Sequence, residues 1–367
     1  MACMKTLPMK TALRFLKISS LLILLSSCTN QNNSTTNFRW TEAKARSWYD
    51  SLPWIKGFNY VPSYAGNTTE WWENQLDTAV IGRELGWAHD LRYTSTRVFL
   101  QYMVWKKDPA AFKKNFTGFL ELASSRNISA MPVLFDDCSF GQPAQVDPYL
   151  GKQRDIIPGM ILSNWTPSPG AKLGNDPAEA ESLRSYVHDM LRTFGQDKRI
   201  LMWDLFNEPM NEAKVGTPDF LVRLFAWARE ANPAQPVTIA VWFKPLDHPV
   251  NMVMIANSDI ITYHLYANRD DMATKIAEMK KQNRPVVCTE WMARPAGSSY
   301  EKELPLFQSE KVAAYQWGLV NGRTQCQFPW WNKPGGGVDS TYGWFHDILH
   351  TDGTPYRQEE VDVIMQY

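Results

Sequence analysis

The chain has 367 residues, of which 44% are hydrophobic and 21% are charged, a composition typical of a globular protein. It contains 38 basic and 38 acidic residues, and its pI is close to 7.0. This neutrality argues against nucleic acid or another polyanion as a partner, because no basic field exists to attract phosphates. An uncharged ligand is compatible with it.

The first 27 residues have the pattern of a bacterial lipoprotein signal peptide. Basic residues precede the apolar run ISSLLILL, which leads into the lipobox-like motif LLSSC. The run is too short to cross a membrane as an ordinary transmembrane helix. We therefore predict cleavage before Cys28, lipid attachment to its sulfur, and a polar tether over residues 28–39. The mature protein is expected to be a membrane-anchored lipoprotein, periplasmic or on the cell surface, with the membrane leaflet left open.

Strand-like and helix-like segments alternate from residue 40 to the C-terminus. The predicted strands lie at 54–62, 94–102, 128–137, 200–210, 236–242, 259–266, 284–293 and 312–320. The predicted helices lie near 40–53, 70–89, 109–127, 176–195, 218–231, 271–282 and 358–366. A long connection rich in Pro and Gly, 138–175, follows the third strand.

Eight strands that alternate with helices imply parallel pairing and right-handed crossovers. We therefore predict an α/β fold, a single-domain (β/α)8 TIM barrel over residues 40–367. A doubly wound open sheet is the alternative, but no Gly-rich phosphate-binding turn follows the first predicted strand.

Polar side chains follow several of the apolar strands. Asn207 and Glu208 end the fourth strand, and Pro209 then stops it by removing a backbone donor. Glu290 ends the seventh strand in the same way. In a parallel barrel these strand ends converge on one mouth, where catalytic groups lie. Two carboxylates placed so are what glycoside hydrolysis requires.

The strand-end motifs resemble those of the retaining glycoside hydrolases of clan A, in particular family 5, which includes cellulases and mannanases. The matching motifs are Arg97 in TRVFL, Asn207-Glu208-Pro209, His264 and Tyr266 in YHLY, Glu290 in CTEW and Trp317 in YQWGL. The resemblance covers about 54–320. It departs from the family pattern at the end of the third strand, where Asp136 and Asp137 replace the usual His and put cellulase-type substrate contacts in doubt.

The catalytic roles follow from what a retaining glycosidase needs. Glu208 is expected to be the general acid/base, with a pKa raised by burial and by the nearby nucleophile. Glu290 is expected to be the nucleophile, kept ionised by the charge of Arg97 and a hydrogen bond from Tyr266.

Other strand-end residues are candidates for substrate binding. Asn207 is expected to bind the 2-hydroxyl of the sugar, and His264 to position the acid/base or a hydroxyl group. Trp317 is the candidate floor beneath the sugar, although both His264 and Trp317 could instead be ordinary core residues. The candidates for the rim of the site are Asp136, Asp137, Trp242, Trp330 and Trp331, for which a structural role is equally open.

The remaining cysteines, Cys138, Cys288 and Cys326, do not make a disulfide framework, and no Cys/His spacing suggests zinc. We expect no metal and no cofactor.

The sequence thus predicts a monomeric β-glycoside hydrolase that cleaves a neutral poly- or oligosaccharide by double displacement. A non-catalytic glycan-binding lipoprotein on the same barrel is the alternative. A barrel aldolase is disfavoured because no strand ends in a candidate Schiff-base lysine. The sugar, its linkage and exo versus endo action are left open.

Overall fold

The computed structural model describes residues 39–141 and 143–367. The predicted signal peptide, the lipidation site Cys28 and all but the end of the predicted tether lie outside the described residues. Within the described part of the chain, no helix is both long and apolar enough to cross a membrane.

The strands of the described residues form a parallel, nearly closed barrel. They are β1 (Lys56–Tyr60), β2 (Ser95–Phe99), β3 (Ser129–Asp136), β4 (Trp203–Asn207), β5 (Val237–Thr238), β6 (Ile261–His264), β7 (Val286–Trp291) and β8 (Ala313–Trp317). They pair in the order β5-β4-β3-β2-β1-β8-β7-β6. A parallel bridge between Val241 and Tyr263 joins the segment after β5 to β6 and brings the two ends of the sheet together. The predicted (β/α)8 barrel is confirmed.

Helices fill the connections between the strands. The α-helices are α1 (Glu42–Asp50), α2 (Thr68–Trp72), α3 (Thr78–Asp90), α4 (Tyr102–Lys107), α5 (Pro109–Ser124), α6 (Ala171–Gly174), α7 (Ala180–Phe194), α8 (Pro218–Ala231), α9 (Pro249–Asn257), α10 (Arg269–Lys280), α11 (Tyr300–Ser309) and α12 (Gln358–Ile364). Short 3-10 turns lie at Pro177–Glu179 and Arg294–Ala296. Several starts follow from local chemistry: Asp108 and Thr217 accept backbone N–H groups at the start of α5 and α8, and proline is the first residue of each helix.

The structure differs from the predicted elements in several places. Four helices were not predicted, namely α4, α6, α9 and α11. Helix α11 contains Pro305, which hides its helical pattern. The predicted helix over 70–89 is instead two helices, α2 and α3, separated by a non-helical segment at 73–77. Asp77 caps the start of α3. Strand β5 is also shorter than the predicted segment.

A small apolar cluster closes the N-terminal end of the barrel below the polar strand ends. Ile55, Met202 and Ile260 lie just before β1, β4 and β6 and pack there with Tyr315 of β8. Gly57 makes this packing possible, since a Cβ atom at this position would lie 2.3 Å from the Tyr315 ring. The open C-terminal end of the barrel is therefore the place for a site.

Candidate active site

The two glutamates predicted to be catalytic face each other across the C-terminal mouth of the barrel. Glu208 follows the last residue of β4, and Glu290 lies within β7. A carboxylate oxygen of each, together with a ring nitrogen of His264, lie within 4.8 Å of one another. Glu208 has a φ of +42°, a backbone conformation that non-glycine residues rarely adopt and that is concentrated at functional sites.

Strong donors surround the Glu290 carboxylate. Arg97 donates from Nη1 to Oε1 at 2.7 Å, and the Tyr266 hydroxyl donates to Oε2 at 2.7 Å. Burial raises the pKa of Glu290, while the Arg97 charge and the Tyr266 hydrogen bond act against that rise. These two partners favour the ionised form of the carboxyl group.

Arg97 is itself held by a polar network inside the barrel. It is fully buried, and its Nε and Nη2 atoms donate to Oδ2 of Asp204 at 3.0 and 2.7 Å. Nη1 also donates to Asn59 at 2.8 Å, and Nη2 to Asn207 at 2.7 Å. The sequence analysis missed Asp204 and Asn59. A charged residue inside the apolar strand WDLFN was the available signal for Asp204.

Glu208 has weaker partners than Glu290. Its Oε2 atom lies 2.9 Å from Nδ2 of Asn211 and 3.2 Å from Sγ of Cys138, and its Oε1 lies 3.0 Å from Nδ1 of His264. Burial raises the pKa of Glu208 to about 6. Burial also lowers the pKa of His264 to about 4, so this imidazole is neutral near pH 7. Glu208 therefore holds a proton more readily than an exposed glutamate does.

The Cys138 thiol, which the sequence analysis did not connect to the site, helps to orient Glu208. Its sulfur lies 3.3 Å from Nδ2 of both Asn207 and Asn211, and these amide groups are donors. The thiol hydrogen is therefore directed to Glu208, the one acceptor among the three. Because Oε2 of Glu208 receives both this hydrogen and one from Asn211, the acidic proton belongs on Oε1.

Asn207 is oriented from both ends of its amide. Its Oδ1 atom accepts from Arg97, and its Nδ2 donates to Oδ1 of Asp136 at 2.8 Å. Asn207 also lines the cavity above the two glutamates. Because the same Nδ2 also donates to the Cys138 sulfur, both N–H bonds of this amide already have protein partners. The predicted contact with a sugar 2-hydroxyl stays a prediction, and it would require the long bond to sulfur to be exchanged for one to the ligand.

The two aspartates predicted at the rim are buried and do not line the cavity. Asp136 is buried, and its carboxylate accepts from Asn207, from the Cys138 backbone and, at 2.8 Å, from Nε1 of Trp165. Asp137 is buried too and accepts three backbone N–H groups within 210–216. Neither lines the cavity, so the prediction that they contact substrate is replaced by a role in holding the loops after β3 and β4.

The cavity over the two glutamates has a volume of about 370 Å³ and mostly aromatic walls. The candidates Trp242, Tyr266, Trp317 and Trp330 line it, together with Phe99, Phe140, Trp165 and His346, which the sequence analysis did not single out. Trp331 does not line it. This side chain is 60% exposed and lies on a neighbouring hollow, so its predicted place in the main site is corrected.

Glu208, His264 and Glu290 are also the one group in the described part of the chain with the spacing of metal ligands. Both oxygens of Glu290 already accept hydrogen bonds, and one of the donors is the Arg97 cation at 2.7 Å. That guanidinium supplies the positive charge that a metal ion would bring to the nucleophile position.

Comparison with known proteins agrees with this geometry. Residues 162–327, a little under half of the chain, match the family model "Glycosyl hydrolases family 2, TIM barrel domain", and this segment contains both glutamates. No curated protein sequence matches the chain significantly.

Solved glycoside hydrolases share the fold at low sequence identity. One is a family 5, subfamily 18 enzyme variant from Streptomyces cattleya in complex with Manβ1-4GlcNAc (14% identity, TM-score 0.58, covering 86% of this chain and 80% of that chain). Another is an exo-β-1,4-mannosidase from Opitutaceae bacterium strain TAV5 (16% identity, TM-score 0.56, covering 86% of this chain and 58% of that chain). A third is a family 5 mannosidase from Rhizomucor miehei (15% identity, TM-score 0.54, covering 86% of this chain and 92% of that chain). These structures show the fold.

The solved structures confirm the (β/α)8 barrel that the motifs predict, and the family-model match over 162–327 is a likeness to the glycoside hydrolases.

Proposed function

We propose that this protein is a retaining β-glycoside hydrolase that cleaves a neutral poly- or oligosaccharide, with Glu208 as general acid/base and Glu290 as nucleophile. The observation that carries the proposal is the approach of the two carboxylates to within 4.8 Å, each with different partners. Retaining enzymes separate these groups by about 5–5.5 Å, whereas inverting enzymes need about 6.5–9.5 Å to admit a water molecule.

In this mechanism Glu290 attacks the anomeric carbon while Glu208 gives its proton to the glycosidic oxygen, and the leaving alcohol departs. Glu208, now ionised, removes a proton from a water molecule, which attacks the same carbon and displaces Glu290. Arg97 and Tyr266 oppose the effect of burial and favour the ionised form of Glu290 before the first step. The aromatic walls exclude bulk water and so strengthen these interactions.

The charges around the cavity support a neutral substrate. Among the described residues that line it, Glu208 and Glu290 carry the formal negative charges and none carries a positive charge. The Arg97 cation lies below and is already paired with Asp204 and Glu290. An acidic sugar would therefore meet carboxylates with no cation to bind it. Because the structural neighbours include mannosidases, β-mannosides belong in the first substrate panel.

Replacement of Glu208 by Gln tests the acid role. We expect kcat to fall by about 10²–10⁴-fold for a glycoside whose leaving group needs protonation. The loss in the first step should be much smaller for an activated aryl glycoside, whose leaving group departs as an anion. Wild-type kcat/KM should also decrease as the pH rises above about 6, where Glu208 loses its proton, and the variant should lack this decrease.

Glu212→Gln is the matched control, since it makes the same chemical change on an exposed residue nearby. If the rate of the first step falls equally for both kinds of substrate in Glu208→Gln, the acid role is refuted. Tight oligosaccharide binding by the wild-type protein, without release of any product from a broad panel, would instead support the non-catalytic binding protein. Nuclear magnetic resonance of the first anomer released distinguishes retention from inversion.

Lipid anchoring through Cys28 is a separate proposal that rests on the LLSSC motif. In bacterial cells we expect the Cys28→Ser variant to lose incorporation of labelled fatty acid and to leave the membrane fraction. Cys3→Ser, which changes a cysteine within the predicted signal peptide, is the control and should keep both properties. Labelling that persists in Cys28→Ser would contradict the proposal.

A further inference from the structure

A second hollow of about 470 Å³ adjoins the cavity over the two glutamates. Phe140 and Trp330 line both spaces, so they share two walls. The other walls of the hollow come from the long loop after β3 and the loop after β8, and they are Met160, Ile161, Trp331, Asn332, Lys333 and Pro334.

The hollow displays two adjacent indole rings to solvent. Trp330 is 43% exposed and Trp331 is 60% exposed, unusually high values for tryptophan. The ring of Phe345 meets both of them edge-on, with centroid distances of 4.8 and 5.5 Å. Exposed apolar surface that is held in a fixed orientation beside a cavity is typical of a binding site.

The loop that carries these rings is fastened to the opposite wall. Asn332 donates from Nδ2 to the Gly159 carbonyl oxygen at 2.7 Å, and the Gly335 N–H donates to the Pro158 carbonyl oxygen at 2.8 Å. The close approach leaves no room for a side chain at Gly159, where a Cβ atom would lie 2.4 Å from the Gly336 oxygen. The hollow is therefore formed before any ligand binds, and little ordering of the loop opposes binding.

We propose that this hollow is a second sugar-binding site, which holds a further unit of the oligosaccharide whose scissile bond lies between Glu208 and Glu290. The proposal rests on the glycosidase activity proposed above. Its occupant is argued from continuity, because the Trp330 ring forms a wall of both spaces and a chain leaving the cavity passes it to reach Trp331. Sugar rings present apolar C–H faces that stack on indole, while their hydroxyl groups stay in water at the open side.

Trp331→Ala tests the second site. Hydrolysis is measured with an aryl monoglycoside and with a series of β-linked neutral oligosaccharides of increasing length. In the wild-type protein kcat/KM should increase with chain length. In Trp331→Ala the ratio of kcat/KM for a long substrate to that for the monoglycoside should fall about tenfold, and Trp331→Phe should restore most of it.

Tyr342→Ala is the control, since Tyr342 is 46% exposed but lines neither space. An unchanged ratio in Trp331→Ala, or wild-type kcat/KM values that do not depend on chain length, would overturn the second site and leave the glycosidase proposal intact. If the wild-type protein hydrolyses none of these substrates, the glycosidase proposal fails. Calorimetric titration with the same oligosaccharides then tests the second site alone. The second site predicts that Trp331→Ala binds them more weakly than wild type, and equal affinities would overturn it.

Discussion

Replacement of Glu290 by Gln is expected to lower kcat by at least about 10⁴-fold, for aryl glycosides and natural-type oligosaccharides alike, because an amide cannot attack the anomeric carbon. This pattern differs from that of Glu208→Gln, whose first step is spared with an activated leaving group. The fold should survive, since the amide oxygen can still accept from Arg97 at the position where Oε1 now accepts at 2.7 Å. Single-turnover release of the aryl group measures the effect directly.

Covalent trapping identifies the nucleophile independently. A fluorinated glycoside with a good leaving group should accumulate as an ester on Glu290 in the wild-type protein, and mass spectrometry of the peptide around CTEW should find it there. Glu301→Gln, an exposed change on α11, is the control and should react as wild type does. An ester on any other residue, or substantial activity in Glu290→Gln, would refute the assignment.

Replacement of Arg97 by Met is expected to produce the largest loss of stability. The change leaves the buried carboxylates of Asp204 and Glu290 without their common cation. Breaking a buried ion pair from one side costs about 3–5 kcal/mol in the free energy of unfolding. Activity should also be lost, because Glu290 then lacks the cation that favours its ionised form. Urea unfolding monitored by tryptophan fluorescence measures the change.

The pH dependence of this loss has a definite sign. Burial already raises the folded-state pKa of Asp204 and Glu290, while the Arg97 charge acts against that rise. Loss of Arg97 should therefore raise both pKa values further above their unfolded values. Such groups stabilise the fold at low pH and lose that contribution as the pH rises through the folded pKa. The decrease in the free energy of unfolding caused by Arg97→Met should therefore be larger at neutral pH than at mildly acidic pH.

Arg184→Met is the matched control for Arg97→Met. Arg184 pairs with Glu181 and Glu230 on the surface, where its side chain is 39% exposed. Exposed ion pairs contribute little to stability because water and salt screen them, so this variant should unfold close to wild type. Equal unfolding midpoints for the two variants would contradict the role given to the buried Arg97 network.

Local sequence pattern predicted most of the barrel because each strand is a short apolar run that ends in polar residues. The same pattern missed α11, where Pro305 interrupts the helical signal, and α9, which lies in a segment of mixed character. It also predicted too long a strand at β5, because PVTIAVW is almost entirely apolar although only Val237–Thr238 pairs with β4. Pairing depends on neighbouring strands, which the segment itself does not describe.

Side-chain direction explains the errors at the site. The FDDC segment offered Asp136 and Asp137 at a strand end, yet neither side chain lines the cavity. Asp136 accepts from Asn207 and Trp165, and Asp137 accepts from backbone N–H groups of the loop after β4. Trp330 and Trp331 are adjacent in the chain, and only Trp330 reaches the main cavity. Cys138 received no role from its spacing, because its partners Asn207 and Asn211 lie about 70 residues away in the chain.

The sequence by itself determined the alternation of strands and helices, the barrel, and the two glutamates at strand ends, since these follow from local periodicity and from the chemistry of short motifs. Only the tertiary structure decided that the two carboxylates approach within 4.8 Å, that Arg97 joins Asp204 to Glu290, and that a second hollow adjoins the first. Distances between residues far apart in the chain depend on how the strands close and the loops pack, and no local pattern contains them.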